Sequence, residues 1–234
     1  MGALKVEPLQ PSELDDFIRL YWASFEPLEA DMVLPMVYTG GLQPEVIQQA
    51  GDRIKRETGG NLSDFCFCAR DTETDELIAV SWWAIVEHPS KTAEEIEAEY
   101  QIAHRARYGA DSVSIAGMNT PLGEAFLKVL IYSEAETMQG QPYMTLRILA
   151  THPKHHRKGA GSLLLRQGLE KADRLNLPVY LDSARSGKAL YERHDFVVTS
   201  DFPFDARQYG GRSEGKHWCM VRAKRHADQP PSCT

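Results

Sequence analysis

The residues best suited to chemistry lie in one stretch: Thr145-Leu146-Arg147-Ile148-Leu149-Ala150-Thr151-His152-Pro153-Lys154-His155-His156-Arg157-Lys158-Gly159-Ala160-Gly161-Ser162-Leu163-Leu164-Leu165. An apolar strand pattern ends near Thr151, Pro153 opens a basic loop, and two glycines lead into an apolar-striped helix. From Arg147 to Arg166 there are five Lys or Arg and no Asp or Glu. Glycines at a helix start leave backbone N–H groups accessible where the macrodipole favours an anion. Arg157 and Lys158 add charge beside them. This pattern suits a phosphate or pyrophosphate. It is not a Walker A loop, because no Gly-x-x-x-x-Gly-Lys-Ser/Thr string occurs. It is not the dinucleotide fingerprint either, since Leu164 stands where the third glycine belongs. His152, His155 and His156 invite a metal, but their spacing fits no zinc pattern and no carboxylate lies nearby in the chain. The reading from the residues is therefore phosphate-loop histidines and no metal.

The elements that must position this stretch follow from periodicity. Leu4 to Leu9 alternates as a first strand, and Pro11-Ser12-Glu13 starts a helix with apolar Leu14, Phe17, Ile18, Tyr21 and Trp22. A helix from about Pro44 to Thr58 stops at Gly59-Gly60. Strands at about 63–70 and 76–87 flank a hairpin-like loop, and the second reads as buried on both faces. Residues 88–118 form an insertion with a charged helical segment, either a solvated surface helix or a substrate lid. Thr120-Pro121 opens a long helix. Strand, helix, strand, helix then follow at about 143–150, 161–175, 179–182 and 187–194, with terminal strands at 196–199 and 217–223. The order implies one α/β (α+β) domain over 1–226, with a cofactor half at 143–200 and a short flexible tail at 227–234. The last strand, His217 to Ala223, reads as exposed and able to pair between subunits, leaving monomer or homodimer open.

Composition narrows the partners. The 234 residues carry 26 Lys plus Arg against 33 Asp plus Glu, a net charge of −7, which disfavours nucleic acid. No apolar run reaches membrane-spanning length, Val6 breaks a myristoylation pattern, and no targeting segment is seen, so a cytoplasmic protein is expected. Four cysteines are too few for a disulfide scaffold, and Cys66 and Cys68 share one strand face as packing residues rather than metal ligands. Trp22, Trp82 and Trp83 read as core or pocket wall.

The loop His156-Arg157-Lys158-Gly159-Ala160-Gly161 resembles the Gln/Arg-x-x-Gly-x-Gly/Ala pyrophosphate loop of the GCN5-related N-acetyltransferase (GNAT) family. About thirty residues on, Leu190-Tyr191-Glu192-Arg193-His194-Asp195-Phe196 is similar to that family's Leu-Tyr-x-x-x-Gly-Phe. Two motifs in order and spacing make the resemblance specific over residues 143–200. His156 departs from Gln or Arg at the first loop position. His194-Asp195 replaces the glycine before Phe196, which Asp tolerates because it enters the left-handed region more readily than most residues.

The resemblance implies a mixed, mostly antiparallel sheet flanked by helices, with a V-shaped splay between the fourth and fifth core strands. It also implies acetyl-CoA as donor and an amine as acceptor, by direct attack through a tetrahedral intermediate. The pantetheine arm would lie in the splay, with Leu149 and Thr151 as backbone partners beside Ala150. His156, Arg157, Lys158, Gly159, Ala160, Gly161 and Ser162 would hold the pyrophosphate, with Ser183, Lys188 and Tyr191 also at the cofactor. Tyr191 matches the family's general acid, and a backbone N–H near Leu149 would hold the oxyanion. Glu87, His88, Asp182, Glu134, Glu136 and a water chain compete as the base. A small-molecule amine is the expected acceptor. A protein lysine or N-terminus, and a non-catalytic acyl-CoA sensor, are the competing readings.

Overall fold

Periodicity and punctuation in the chain resolve into seven strands and eight α-helices in the computed structural model, which describes residues 3–25, 32–109 and 114–225. Glycine 2, residues 110–113 of the insertion and the tail at 227–234 lie outside the described residues. Strand β1 (Leu4–Pro8) leads through a 3-10 turn at Pro11–Glu13 into α1 (Leu14–Phe25), which buries Leu14, Phe17, Ile18 and Trp22 as the stripe requires. A short turn, α2 (Leu34–Val37), precedes α3 (Pro44–Glu57). Past α3, Gly59 and Gly60 both take positive φ, the backbone that ends the helix.

The strand expected from residue 63 starts later. Residues Leu62–Phe65 form a helical turn, α4, with Leu62 buried and Ser63 and Asp64 exposed, so β2 is Cys66–Asp71. β3 (Leu77–Val86) is covered on both sides, with Trp82 packed into the core beneath α1 and α3 and Trp83 into the core beneath α7. The inserted helix α5 (Ala93–Tyr108) runs well past the charged run that announces it. Thr92 and Glu95 close a capping box at its start. α5 packs on α6 (Thr120–Met138). Then come β4 (Tyr143–Thr151), α7 (Ala160–Arg174), β5 (Val179–Ala184), α8 (Arg185–Glu192), β6 (Val197–Asp201) and β7 (His217–Arg222).

The sheet order is β1-β2-β3-β4-β5-β7-β6, antiparallel except for β4 and β5. The final strand is therefore not an exposed edge. β7 lies between β5 and β6, and the edge is β6, whose five residues are all exposed. Chain order gives no clue to this, because the last hairpin folds back over the strand before it.

Two local features shape the region around β4. Its parallel pairing with β5 is limited to Met144↔Val179 and Thr145↔Tyr180, after which the strands part in the expected splay. Its pairing with β3 shifts register between Trp82↔Ile148 and Trp83↔Leu146, leaving Arg147 as the extra residue of a β-bulge. The bulge inverts the alternation: Met144 and Leu146 join the core under α7, whereas Ile148 and Ala150 join the core under α1 and α3. Close docking of α7 depends on Gly168, where an added Cβ would fall 2.1 Å from the Trp83 ring.

Candidate active site

The cofactor side is built from backbone. His152 N–H donates to Ile78 C=O at 2.9 Å, continuing the β3–β4 register. In an antiparallel pair, bonded residues alternate, so Ala150 and Ile148 face β3 while Leu149 and Thr151 turn their N–H and C=O toward the splay. That is the arrangement an extended ligand chain needs to pair with a strand. One modification appears: the His156 ring approaches the Thr151 carbonyl at 2.9 Å. His156 thus ties the loop to the strand end with its side chain, while its backbone N–H donates to the Pro153 carbonyl at 3.3 Å.

The loop itself adopts the conformation its sequence suggests. Arg157 (φ 62°) and Gly159 (φ 87°) are both left-handed, and Gly159 caps α7. Such turns direct successive N–H groups inward, and the first donors of α7 have no intrahelical acceptor. Around Gly161, an added Cβ would meet Leu190 of α8 at 3.5 Å and the Thr151 hydroxyl at 3.6 Å, so strand end, loop and α8 converge there. His194 reaches toward the Ser162 hydroxyl at 3.5 Å, and Asp195 takes φ 66° in the glycine-like position. Lys158 lies 3.1 Å from His155, whose other nitrogen is 3.1 Å from Glu76. The hairpin thus brings a carboxylate to the histidines, contrary to the expectation from the local chain. Among the described residues no group of three or more His, Cys, Asp or Glu is arranged to hold an ion. The site residues fit acetyl-CoA: an unpaired strand face leads to an anion-binding helix start.

Not all of the basic stretch faces the loop. The bulge turns Arg147 away from the loop and into a cavity of about 690 Å³ on the opposite side of the splay. There it binds Glu134, which also accepts a 2.8 Å hydrogen bond from the Tyr143 hydroxyl. Its Nε lies 3.7 Å from Glu57, which pairs with Arg53 at 2.8 Å. Burial works against the Arg147 charge, but Glu134 and Glu57 outweigh it and hold the pKa above its usual value. Burial likewise opposes ionisation of Glu57, but Arg53 and Arg147 hold its carboxyl below the usual range. The cavity runs from the ends of β4 and β5 outward to α1, α3, α5 and α6.

Asp182 and Tyr191 line this same cavity. Burial pushes the Asp182 carboxyl up to about 7, against the pull of a 2.6 Å hydrogen bond from the Tyr180 hydroxyl. Burial also raises the Tyr191 phenol, so it stays protonated at neutral pH. Ser183 is fully buried and spends its hydroxyl on the Ala184 carbonyl at 2.9 Å. Lys188 is held by Glu192 and lies 5.6 Å from the Trp218 ring centre. Of the candidate bases, Asp182 and Glu134 reach the cavity, whereas Glu87 and His88 border a separate pocket and Glu136 is exposed. Sequence reasoning missed Arg53, Glu57 and Arg107 of α5, because nothing local links them to the loop. Arg147 was visible only as one more charge. Cys66 and Cys68 are buried packing residues of one core, and burial lifts both thiols to about 12.

Residues 120–198 match the family model of the acetyltransferase (GNAT) domain. Over that stretch, about a third of the chain, the sequence is that of a GNAT acetyltransferase domain. The match spans α6 through β6 and so includes the bulge, the loop, Asp182 and Tyr191. The fold is shared over nearly the whole chain with solved GNAT structures of low identity. A mosquito arylalkylamine N-acetyltransferase like 5b superposes with a TM-score of 0.65 at 13% identity, covering 94% of this chain and 99% of that one. The polyamine N-acetyltransferase of Drosophila melanogaster, described as forming N-acetylagmatine, gives 0.59 at 13%, covering 94% and 97%. A histone acetyltransferase HPA2-related protein from Corynebacterium glutamicum gives 0.57 at 16%, covering 98% and 100%. At such identities these likenesses concern the fold.

Proposed function

We propose that this GNAT protein is a cytoplasmic N-acetyltransferase, its domain spanning 1–226, that acetylates the amine of a small molecule by direct attack. The observation that carries this reading is one cavity that joins the β4–β5 splay to Asp182, Tyr191 and a wall of aromatic and paired charged side chains. Acetyl-CoA supplies the acetyl group as an activated thioester. Leu149 and Thr151 offer main-chain groups to the pantetheine arm, while the N–H groups from Arg157 to Ser162 and the Arg157 and Lys158 charges hold the pyrophosphate. Asp182 takes a proton from the incoming ammonium, so the amine attacks neutral. A carboxyl titrating near 7 is about half ionised at neutral pH, as a working base requires. The Leu149 N–H, turned toward the splay, is the donor we assign to the oxygen of the tetrahedral intermediate. Tyr191 keeps its proton for the departing sulfur. α5 lines the acceptor side with Glu99, Ile102, Ala103, Ala106, Arg107 and Tyr108, which favours the lid reading of the insertion and a small amine over a peptide.

The test is acetyl-CoA with a panel of amines and lysine peptides, reading released thiol. Faster release with small amines than with peptides is expected. Release no faster than hydrolysis with any acceptor would defeat the reading in favour of a non-catalytic acyl-CoA sensor.

A further inference from the structure

Among the described residues, two guanidiniums of the cavity lining, Arg56 and Arg107, have no carboxylate at contact distance; Arg56 is exposed, whereas Arg107 is half-buried. Arg107, in the last turn of the inserted helix, lines the cavity, and among the described residues it has no acidic partner in contact. The groups that face it are the phenols of Tyr38 and Tyr108 and, beyond them, Glu57. Glu57 is already engaged by Arg53 and Arg147. The Tyr108 hydroxyl is buried against the Arg107 guanidinium, which can only donate, so the phenol proton has no acceptor; the Nε of Arg147 is buried with no hydrogen-bond partner. The Tyr38 hydroxyl is turned away, donating to Gln49 at 2.7 Å, and Gln49 in turn donates to the Arg107 carbonyl at 3.0 Å. These bonds fix the end of α5 against α3. The cavity lining as a whole carries Arg53, Arg56, Arg107 and Arg147 against Asp52, Glu57, Glu99, Glu134 and Asp182, so the unneutralised positive charge at Arg107 is local.

Buried donors in native proteins have acceptors, and a buried charge has a partner. Here the Tyr108 proton has no acceptor and the half-buried Arg107 no carboxylate at contact distance, in the wall of the cavity proposed to receive the acceptor. We propose that the acceptor is an amino carboxylate, a molecule of amino-acid type whose carboxylate binds Arg107 and Tyr108 while its amine reaches Asp182 and Tyr191. This rests on the N-acetyltransferase reading of the same cavity. The direction follows from the order of charges: Asp182 neighbours Glu134 and Arg147, and Arg107 lies beyond Glu57. A planar guanidinium suits a carboxylate because it can donate two parallel hydrogen bonds. The inserted helix thus supplies specificity, which the shared fold does not.

The test uses matched pairs that differ only in a carboxylate: phenylalanine against phenethylamine, and lysine against cadaverine. Binding to the full chain is measured by calorimetry with and without coenzyme A, so the result does not depend on turnover. Binding of the amino acid about 10- to 100-fold tighter than its decarboxylated partner is expected, the range for a charge-assisted hydrogen bond. In Arg107→Gln, that ratio falls toward one, and Arg107→Lys restores part of it. Equal or weaker binding of the amino acids by the native protein would overturn the proposal and needs no variant. An unchanged ratio in a folded Arg107→Gln protein would overturn it as well. Absence of thiol release would instead overturn the N-acetyltransferase reading, while the binding ratio still decides this one.

Discussion

Replacing Asp182 by Asn separates the energetic and chemical roles of the buried carboxyl, because the two move in opposite directions. Burial lifts this group from an ordinary 3.8 to about 7, with Glu134 adding to the rise and the Tyr180 hydrogen bond opposing it. A raised carboxyl pKa means that the folded state holds a proton the unfolded chain has released. Stability is therefore lost as pH rises from the unfolded value through the folded one. From these two values the cost is about 1.7 kcal/mol at pH 5 and about 4 kcal/mol at pH 8. Asn keeps the shape and can still accept from Tyr180, but carries no charge to bury. The variant is expected to be more stable than the parent at pH 8, by up to ~4 kcal/mol, with a much smaller gain at pH 5. For a domain of this size each kcal/mol is worth roughly 2–4 °C in Tm, so thermal melts at the two pH values resolve the difference. In the acetyl-transfer assay the same variant is expected to lose about 10²- to 10⁴-fold in kcat, together with the limb near pH 7. A variant that is no more stable at pH 8, or that keeps the parent's rate and pH profile, would refute the reasoning.

The remaining expectations concern single positions. Tyr191→Phe should lower kcat by about 10²-fold or more while the KM for acetyl-CoA changes little, as initial rates at varied acetyl-CoA will show. An unaltered kcat would remove Tyr191 as the acid. Gly168→Ala should destabilise the protein by at least ~1–3 kcal/mol in urea melts, because its Cβ would meet the Trp83 ring at 2.1 Å and neither partner has room to retreat. Cys66 and Cys68, with thiols near 12, should resist iodoacetamide at pH 8 in the folded protein and react once it is unfolded, as peptide mass mapping will report.

Much of the site was legible because its signals are local. Gly159 and the basic residues around it mark a helix start whose free N–H groups suit an anion, wherever that helix sits. Asp195 could be read as left-handed from its place in a motif, and it takes φ 66°. The Trp82-Trp83 pair could be assigned to the core because period-two alternation sends neighbours to opposite faces. The acceptor half was not legible. Glu57 and Arg147 are 90 positions apart in the chain and meet because α3 packs near the bulge of β4. The bulge itself leaves no composition signal, yet it decides whether Arg147 points toward the loop or into the cavity.

By itself the sequence determined the basic, glycine-opened loop, the helix and strand order and the family resemblance, since each depends on contacts between near neighbours. The tertiary structure alone decided the place of β7 inside the sheet, the direction of Arg147, and the meeting of Asp182 with Tyr191 in one cavity. It also carried Arg107 to that cavity's far wall. These depend on register and packing between distant segments, where a one-residue shift sends a side chain to the other face.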